Sequence, residues 1–144
     1  MQAARDDAHE PARPVAVSPP LSGAQAREQV RRAVHACLAG QDGGSVAETT
    51  ELRALDAQLA CSELLSNARR HGGGLAWFRV RAEHGHVVIE VADHSSELPL
   101  SPPRDVREPG GFGWALVQRL AAKVVVEIVP DGTGKVVTAY LPVR

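Results

Sequence analysis

The spacing of apolar residues changes once along the chain, after the glycines at residues 72–74. Before them, apolar positions recur with the period of an α-helix over residues 24–38 and about 48–70, and Ser22 is placed to cap the first helix. After them, the pattern predicts strands over residues 75–82, 87–92, 124–129 and 135–141, with a third helix over residues 111–123. Early helices and late strands favour an α+β fold, a two-layer sandwich in which one mixed sheet carries helices on one face.

Composition and charge narrow the class of protein. The 144 residues have a net charge of −1 without the basic surplus of a nucleic-acid-binding domain, so we expect no direct nucleic-acid contact. No apolar run reaches about 18 residues and the polar start is not a secretory signal, so no membrane association is predicted. Residues 1–20 are expected to form a flexible leader before one domain over residues 21–144. Cys37 and Cys61 fit reduced thiols in a cytoplasmic protein.

The second predicted helix ends in polar side chains where its pattern predicts core. At about 100° per residue, Leu52, Leu55 and Leu59 fall on one narrow stripe, which we expect to face the core. Glu63 continues that stripe and Asn67 lies about 40° further round. Because an unpaired buried carboxylate is costly, a cleft with a ligand or metal is one interpretation, in which Asn67 suits Mg²⁺ and Glu63 can act as a base. The alternative is that the helix turns to solvent near its end.

Two further segments carry candidate ligand contacts. Asp93 directly follows a predicted strand, and a carboxylate there can accept hydrogen bonds from a ligand amine, although this residue taken alone favours an ordinary turn. Gly110, Gly111 and Gly113 lead into the third predicted helix, where close backbone approach and free N–H groups suit a phosphate. A flexible loop before a core helix is the alternative there. Neither a Walker phosphate loop nor a dinucleotide-binding fingerprint is present.

Taken in order, these segments resemble the motifs of one ATP-binding superfamily. Residues 62–71, Ser-Glu-Leu-Leu-Ser-Asn-Ala-Arg-Arg-His, resemble the N box of the GHKL superfamily of ATPases and kinases. Residues 91–93 resemble the start of its first glycine box, and residues 111–117 resemble its second. Within the superfamily, the chain length and the Glu-x-x-x-Asn-x-x-x-His form resemble the anti-sigma-factor serine/threonine kinases. The resemblance covers about residues 20–142 and implies a mixed, mostly antiparallel sheet, with ATP bound between the helices and a lid.

The resemblance also implies a role for each candidate residue. Glu63 would be the general base that polarises the attacking hydroxyl, and Asn67 would hold the Mg²⁺ that bridges the phosphates. His71 would line the phosphate end of the site, and Asp93 would accept a hydrogen bond from the adenine amine. ATP and Mg²⁺ are therefore the expected ligands.

A lid and protein partners follow from the same resemblance, with one departure from the family pattern. Gly111 and Gly113 would shape the hinge of a lid formed by residues 94–110. Ser95 stands where the first glycine box has a glycine, so a side chain lies where the backbone would pass close to adenine. The predicted function is a kinase that phosphorylates an anti-sigma-factor antagonist and sequesters a sigma factor, and the resemblance suggests a homodimer. The alternative is a non-catalytic, partner-binding regulator with a degenerate nucleotide pocket.

Overall fold

A computed structural model describes residues 15–39, 44–99 and 113–144 of the chain. In chain order its elements are α1 (Gly23–Leu38), α2 (Gly44–His71), β1 (Leu75–Glu83), β2 (His86–Asp93), α3 (Gly113–Leu120), β3 (Lys123–Ile128) and β4 (Lys135–Pro142). Every helix and strand predicted from the apolar pattern is present. Among these described helices, none is long and apolar enough to cross a membrane.

The four strands form one sheet in the order β1-β2-β4-β3. We expected a mixed, mostly antiparallel sheet, and every strand pairing within the described residues is antiparallel. Strands β2 and β4 pair with Asp93 opposite Lys135 at one end and His86 opposite Pro142 at the other. This register brings the last residue of β2 beside the first residue of β4.

Helices α1 and α2 cover one face of the sheet and form the core with it. The core residues on this face alternate along β2 and β4, as a sheet covered on one side by helices requires. The sheet contributes Phe78, Ile89, Val91, Ala139 and Leu141, among others. The opposite face carries the ion pair between Arg79 and Glu90. The two-layer α+β arrangement predicted from the sequence is therefore confirmed.

Helix α1 begins at a capping box, as its sequence predicts. The backbone N–H of Gln25 donates to Ser22 Oγ at 3.0 Å, and the backbone N–H of Ser22 donates to Gln25 Oε1 at 2.8 Å. These bonds satisfy donors that the first turn of a helix otherwise leaves free. The buried stripe of this helix consists of Ala26, Val30, Val34 and Leu38.

Helix α2 turns a different face to the core from the one we predicted. Leu52, Leu55 and Leu59, expected in the core, are 63%, 60% and 43% exposed. The buried stripe is made mainly of small residues, namely Ala54, Ala57, Ala60, Cys61, Leu64, Leu65 and Ala68. The prediction was wrong because it gave weight to the large leucines, whereas alanines let a helix lie close to its neighbours. The three exposed leucines, called the leucine stripe below, run along the outer side of α2.

The ends of three segments also differ from their predicted positions. Helix α3 ends at Leu120 rather than near residue 123, and β3 begins at Lys123. Helix α2 begins at Gly44, one turn earlier than predicted. Val17, in the segment expected to be a flexible leader, makes a single bridge with Phe78 through backbone bonds of 2.7 and 2.9 Å. A short apolar run does not show by its period alone where a helix stops and a strand starts.

Candidate functional site

The last turns of α2 carry three of the predicted site residues. Glu63, Asn67 and His71 are spaced four residues apart within α2, so they lie about 6 Å apart along the axis on nearly the same side. Glu63 and Asn67 are half-buried, while His71 is exposed. The structure therefore places a carboxylate, an amide and an imidazole in a row at the end of one helix.

A cavity of about 290 Å³ opens beside this row, between α2, the adjacent ends of β2 and β4, and the start of α3. Four residues that the sequence singled out line it, namely Asn67, His71, Asp93 and Gly113. Apolar surface comes from Leu64, Ala68, Val91, Trp114 and Val137. Small-molecule sites commonly enclose roughly 300–1,000 Å³ and are mostly apolar with a few polar groups. The cavity has this composition and lies at the small end of that range.

Asp93 is paired with a lysine inside the cavity. Its carboxylate is 5% exposed, and Oδ2 lies 2.8 Å from Nζ of Lys135, which is equally buried. Oδ1 accepts the backbone N–H of Ser95 at 3.0 Å, and Nζ of Lys135 donates to the Ser95 carbonyl oxygen at 3.2 Å. Asp93, predicted as an acceptor for a ligand amine, therefore lies in the cavity wall as one half of a buried ion pair.

Gly72, which follows the last residue of α2, allows this carboxylate to approach the helix. A Cβ at position 72 would lie 2.6 Å from Asp93 Cγ and 2.7 Å from the Ala68 carbonyl oxygen, closer than real Cβ atoms come. A backbone bond of 2.8 Å from His94 N to the Gly72 oxygen joins the same two segments. The end of α2 and the end of β2 are thus held together at a position where only glycine fits.

Glu63 lies against the first residue of α3. A Cβ at position 113 would collide with the Glu63 carboxylate as it lies here, so a side chain at this position would require the carboxylate to move. The first turn of α3 contains no acidic residue of its own, and the free N–H groups of a helix start favour a nearby negative charge. Glu63 does not itself line the cavity but stands one helical turn from Asn67, which does.

The side chains around the cavity suit a metal ion that takes most of its ligands from water and from the substrate. Within the described ranges, no group of three His, Cys, Asp or Glu side chains could hold a metal ion. Mg²⁺ often keeps several waters and binds one or two protein oxygens plus substrate phosphates, so Asn67 is a sufficient protein ligand for it. Gly111 and residues 100–110 of the predicted lid lie outside the described residues, and residues 95–99 contain neither helix nor strand.

Lys135 lines the cavity and Gly72 supports its wall beside Asp93. Neither residue is among those predicted for the site. The signal for Lys135 was a lysine at the start of an otherwise apolar strand, beside a glycine. That signal becomes interpretable only when the register places Lys135 opposite Asp93. The signal for Gly72 is the run of glycines at residues 72–74, which by itself indicates only the end of a helix.

Comparison with known proteins adds one match. The family model described as the histidine kinase-like ATPase domain matches residues 20–141. The matched range contains all the helices and nearly all of the sheet, together with every residue predicted for the site. No curated protein sequence matches the chain.

Proposed function

The chain belongs to the histidine kinase-like ATPase domain family, and from this premise we propose that it is a Mg-ATP-dependent protein serine/threonine kinase that also sequesters a sigma factor. Membership implies an ATP-binding regulatory protein of the GHKL type. The serine of an anti-sigma-factor antagonist as substrate, the sigma factor as partner, a homodimer and a cytoplasmic location belong to the proposal. The observation that carries it is the placement of Asn67 and Asp93 on one cavity, with Glu63 one turn from Asn67.

In the proposed reaction a serine hydroxyl of the antagonist attacks the γ-phosphorus of ATP. A bond forms between the serine oxygen and phosphorus, the bond to the β,γ-bridging oxygen breaks, and ADP leaves. The hydroxyl proton passes to the Glu63 carboxylate, which lies against Gly113 at the start of α3. Asn67 would hold Mg²⁺, which neutralises phosphate charge when bound. Positioning and charge neutralisation account for most catalysis of phosphoryl transfer, so few residues suffice.

Thermal unfolding with and without ATP, in Mg²⁺ and in chelator, tests nucleotide binding. Ligand at about 100 times its dissociation constant stabilises a protein by roughly 2.7 kcal/mol, a shift of several degrees for a domain of this size. We expect a shift that needs both ATP and Mg²⁺ and is lost in Asn67→Ala. The absence of any shift at millimolar ATP would contradict the proposal.

The Glu63→Gln variant tests the chemical step. It should bind ATP like the wild type but transfer label from γ-labelled ATP to serine in proteins of the same cell about 10²–10⁴ times more slowly. Glu127→Gln, an exposed position on β3, is the matched control and should transfer at the wild-type rate. A Glu63→Gln variant with unchanged transfer would show that another group accepts the proton.

A second candidate function is partner binding without catalysis. It is favoured by the leucine stripe, because exposed contiguous apolar surface commonly marks an interface. The exposed acidic residues Glu48 and Asp56 lie along the same helix, whereas Glu51 is already paired with Arg31 and His35 of α1. This combination suits an amphipathic helix of a sigma factor that carries basic residues beside apolar ones. ATP binding distinguishes the candidates, because a protein acting only through this surface does not need it.

A further inference from the structure

Lys135 places a buried cation in the cavity wall, and no step of the proposed phosphoryl transfer uses it. Its side chain is 5% exposed, and its ammonium contacts Asp93 Oδ2 and the Ser95 carbonyl oxygen. Burying an ammonium is costly, and a buried ion pair is often no more stable than an apolar pair of similar volume. Stability alone therefore explains the pair poorly, whereas a role for both charges towards a ligand explains why they line the cavity.

The ion pair of Lys135 and Asp93 has hydrogen-bonding groups that its protein partners do not use. An ammonium has three N–H donors, and Asp93 and Ser95 accept two of them. Each oxygen of Asp93 accepts one hydrogen bond within the protein and keeps a further lone pair. The cavity wall thus presents one spare donor on Lys135 beside the spare acceptor sites of Asp93.

The surroundings of the pair suit a flat heterocycle. Leu64, Val91 and Val137 line the same cavity and supply apolar surface on which a base can lie. The Watson–Crick edge of adenine carries the 6-amino donor beside the acceptor N1, which complements an acceptor beside a donor. Hypoxanthine carries a 6-oxo acceptor beside an N1–H donor, which reverses both groups.

We propose that Lys135 is a specificity-determining residue of the nucleotide pocket, donating a hydrogen bond to N1 of adenine while Asp93 accepts one from the 6-amino group. This inference rests on the proposed nucleotide-binding function and adds a direct contact to the base. It also explains how a site with Ser95 in place of glycine recognises adenine, because the Ser95 backbone orients both members of the pair.

Calorimetric titration with ATP and 1-deaza-ATP, in which a C–H group replaces N1, tests the contact. A hydrogen bond to a charged group contributes about tenfold or more in affinity, so the wild type should bind ATP at least tenfold more tightly than 1-deaza-ATP. In Lys135→Met this preference should fall to within about threefold. Lys123 and Lys135 are the only lysines of the chain, and Lys123→Met, an exposed position on β3, should keep the full preference.

Two measurements on the wild-type protein keep the test decisive if Lys135→Met does not fold. ITP should bind at least tenfold more weakly than ATP, because it sets a carbonyl against the carboxylate and an N–H against the ammonium. The preference of the wild type for ATP over 1-deaza-ATP depends on N1 alone, so it reports the contact with Lys135 without any variant.

The possible outcomes separate this inference from the proposed function. Equal binding of ATP, 1-deaza-ATP and ITP by the wild type would overturn the role of Lys135 and leave nucleotide binding intact. Failure of the wild type and of Lys135→Met to bind any nucleotide would overturn the proposed function itself. ATP binding by Lys135→Met alone would show that Lys135 closes the pocket, which also refutes a recognition role.

Discussion

Replacing Lys135 by methionine should destabilise the protein by about 3–5 kcal/mol, because it leaves the Asp93 carboxylate buried without its counter-ion. Both side chains are 5% exposed, so water from the cavity that they line replaces the lost interaction only in part. The Ser95 N–H still donates to Oδ1 at 3.0 Å, which places the expected loss near the lower end of that range. Small domains are stable by about 5–15 kcal/mol, so the change is large but compatible with folding.

The double variant Asp93→Asn with Lys135→Met separates charge burial from packing. It removes both charges, so the amide buries no net charge and keeps an acceptor for the Ser95 N–H. We expect it to be more stable than Lys135→Met alone, by about 1–3 kcal/mol, because it no longer buries an unpaired charge. Asp93→Asn alone should fall between the wild type and Lys135→Met, because Nζ keeps the Ser95 carbonyl oxygen.

Urea unfolding followed by far-UV circular dichroism at pH 7 gives the free energies of the four proteins. Lys123→Met is the control and should lie within about 0.5 kcal/mol of the wild type, because Lys123 is exposed. A loss below about 1 kcal/mol for Lys135→Met would contradict a buried pair. Strictly additive losses in the double variant would show that the two charges are not coupled.

Three further predictions concern positions outside the pair. Gly72→Ala should cost about 1–3 kcal/mol in urea unfolding, because its Cβ would lie 2.6 Å from the nearest carboxylate carbon. Gly132→Ala, with φ +72 and no atom within 4 Å, should cost only the roughly 1 kcal/mol of backbone strain, and equal losses would contradict the steric argument. Burial raises the pKa of Cys61 to about 12 from an ordinary 9.0, so its contribution to stability is complete below pH 9 and is lost as the pH rises towards 12. The unfolding free energy should therefore fall above pH 9 by up to about 1.4 kcal/mol per pH unit more in the wild type than in Cys61→Ala, and parallel pH profiles would refute this. Leu55→Asp should weaken binding to the sigma factors of the same cell by at least about tenfold with unchanged ATP affinity. The control Ile128→Asp changes another exposed apolar residue, on β3, and should bind them normally. Unchanged binding by Leu55→Asp would show that the leucine stripe is not the contact.

Local sequence patterns were sufficient to predict which segments form helices and which form strands. The capping box at Ser22 and the period of α1 are properties of neighbouring residues, so they are visible without a fold. The strands are recognisable from β-branched residues and from alternation, which reflect backbone geometry. The predicted ends of the elements were less accurate, as the early end of α3 at Leu120 shows. The few residues between two elements fit either one, so the local pattern does not decide where one ends.

The face of α2 that enters the core was not predictable in the same way. The helix carries two stripes of equal period, one of leucines and one of mainly small residues, and hydropathy favours the leucines. The structure buries the small residues, because contact with α1 and the sheet requires close approach. Glu63 therefore lies on the exposed leucine stripe rather than on a buried one, and its carboxylate lies against Gly113 at the start of α3.

The sequence alone determined the class of fold, the row of polar groups at Glu63, Asn67 and His71, and the carboxylate that ends β2, since each depends on residues close together in the chain. Only the tertiary structure showed that Asp93 is paired with Lys135, because this contact depends on the register between β2 and β4. Register is set by the packing of whole strands against the core, and a shift of one residue would turn Lys135 to the other face of the sheet. The chemistry available in the cavity is therefore a property of the assembled sheet and helices, although every residue that supplies it is present in the sequence.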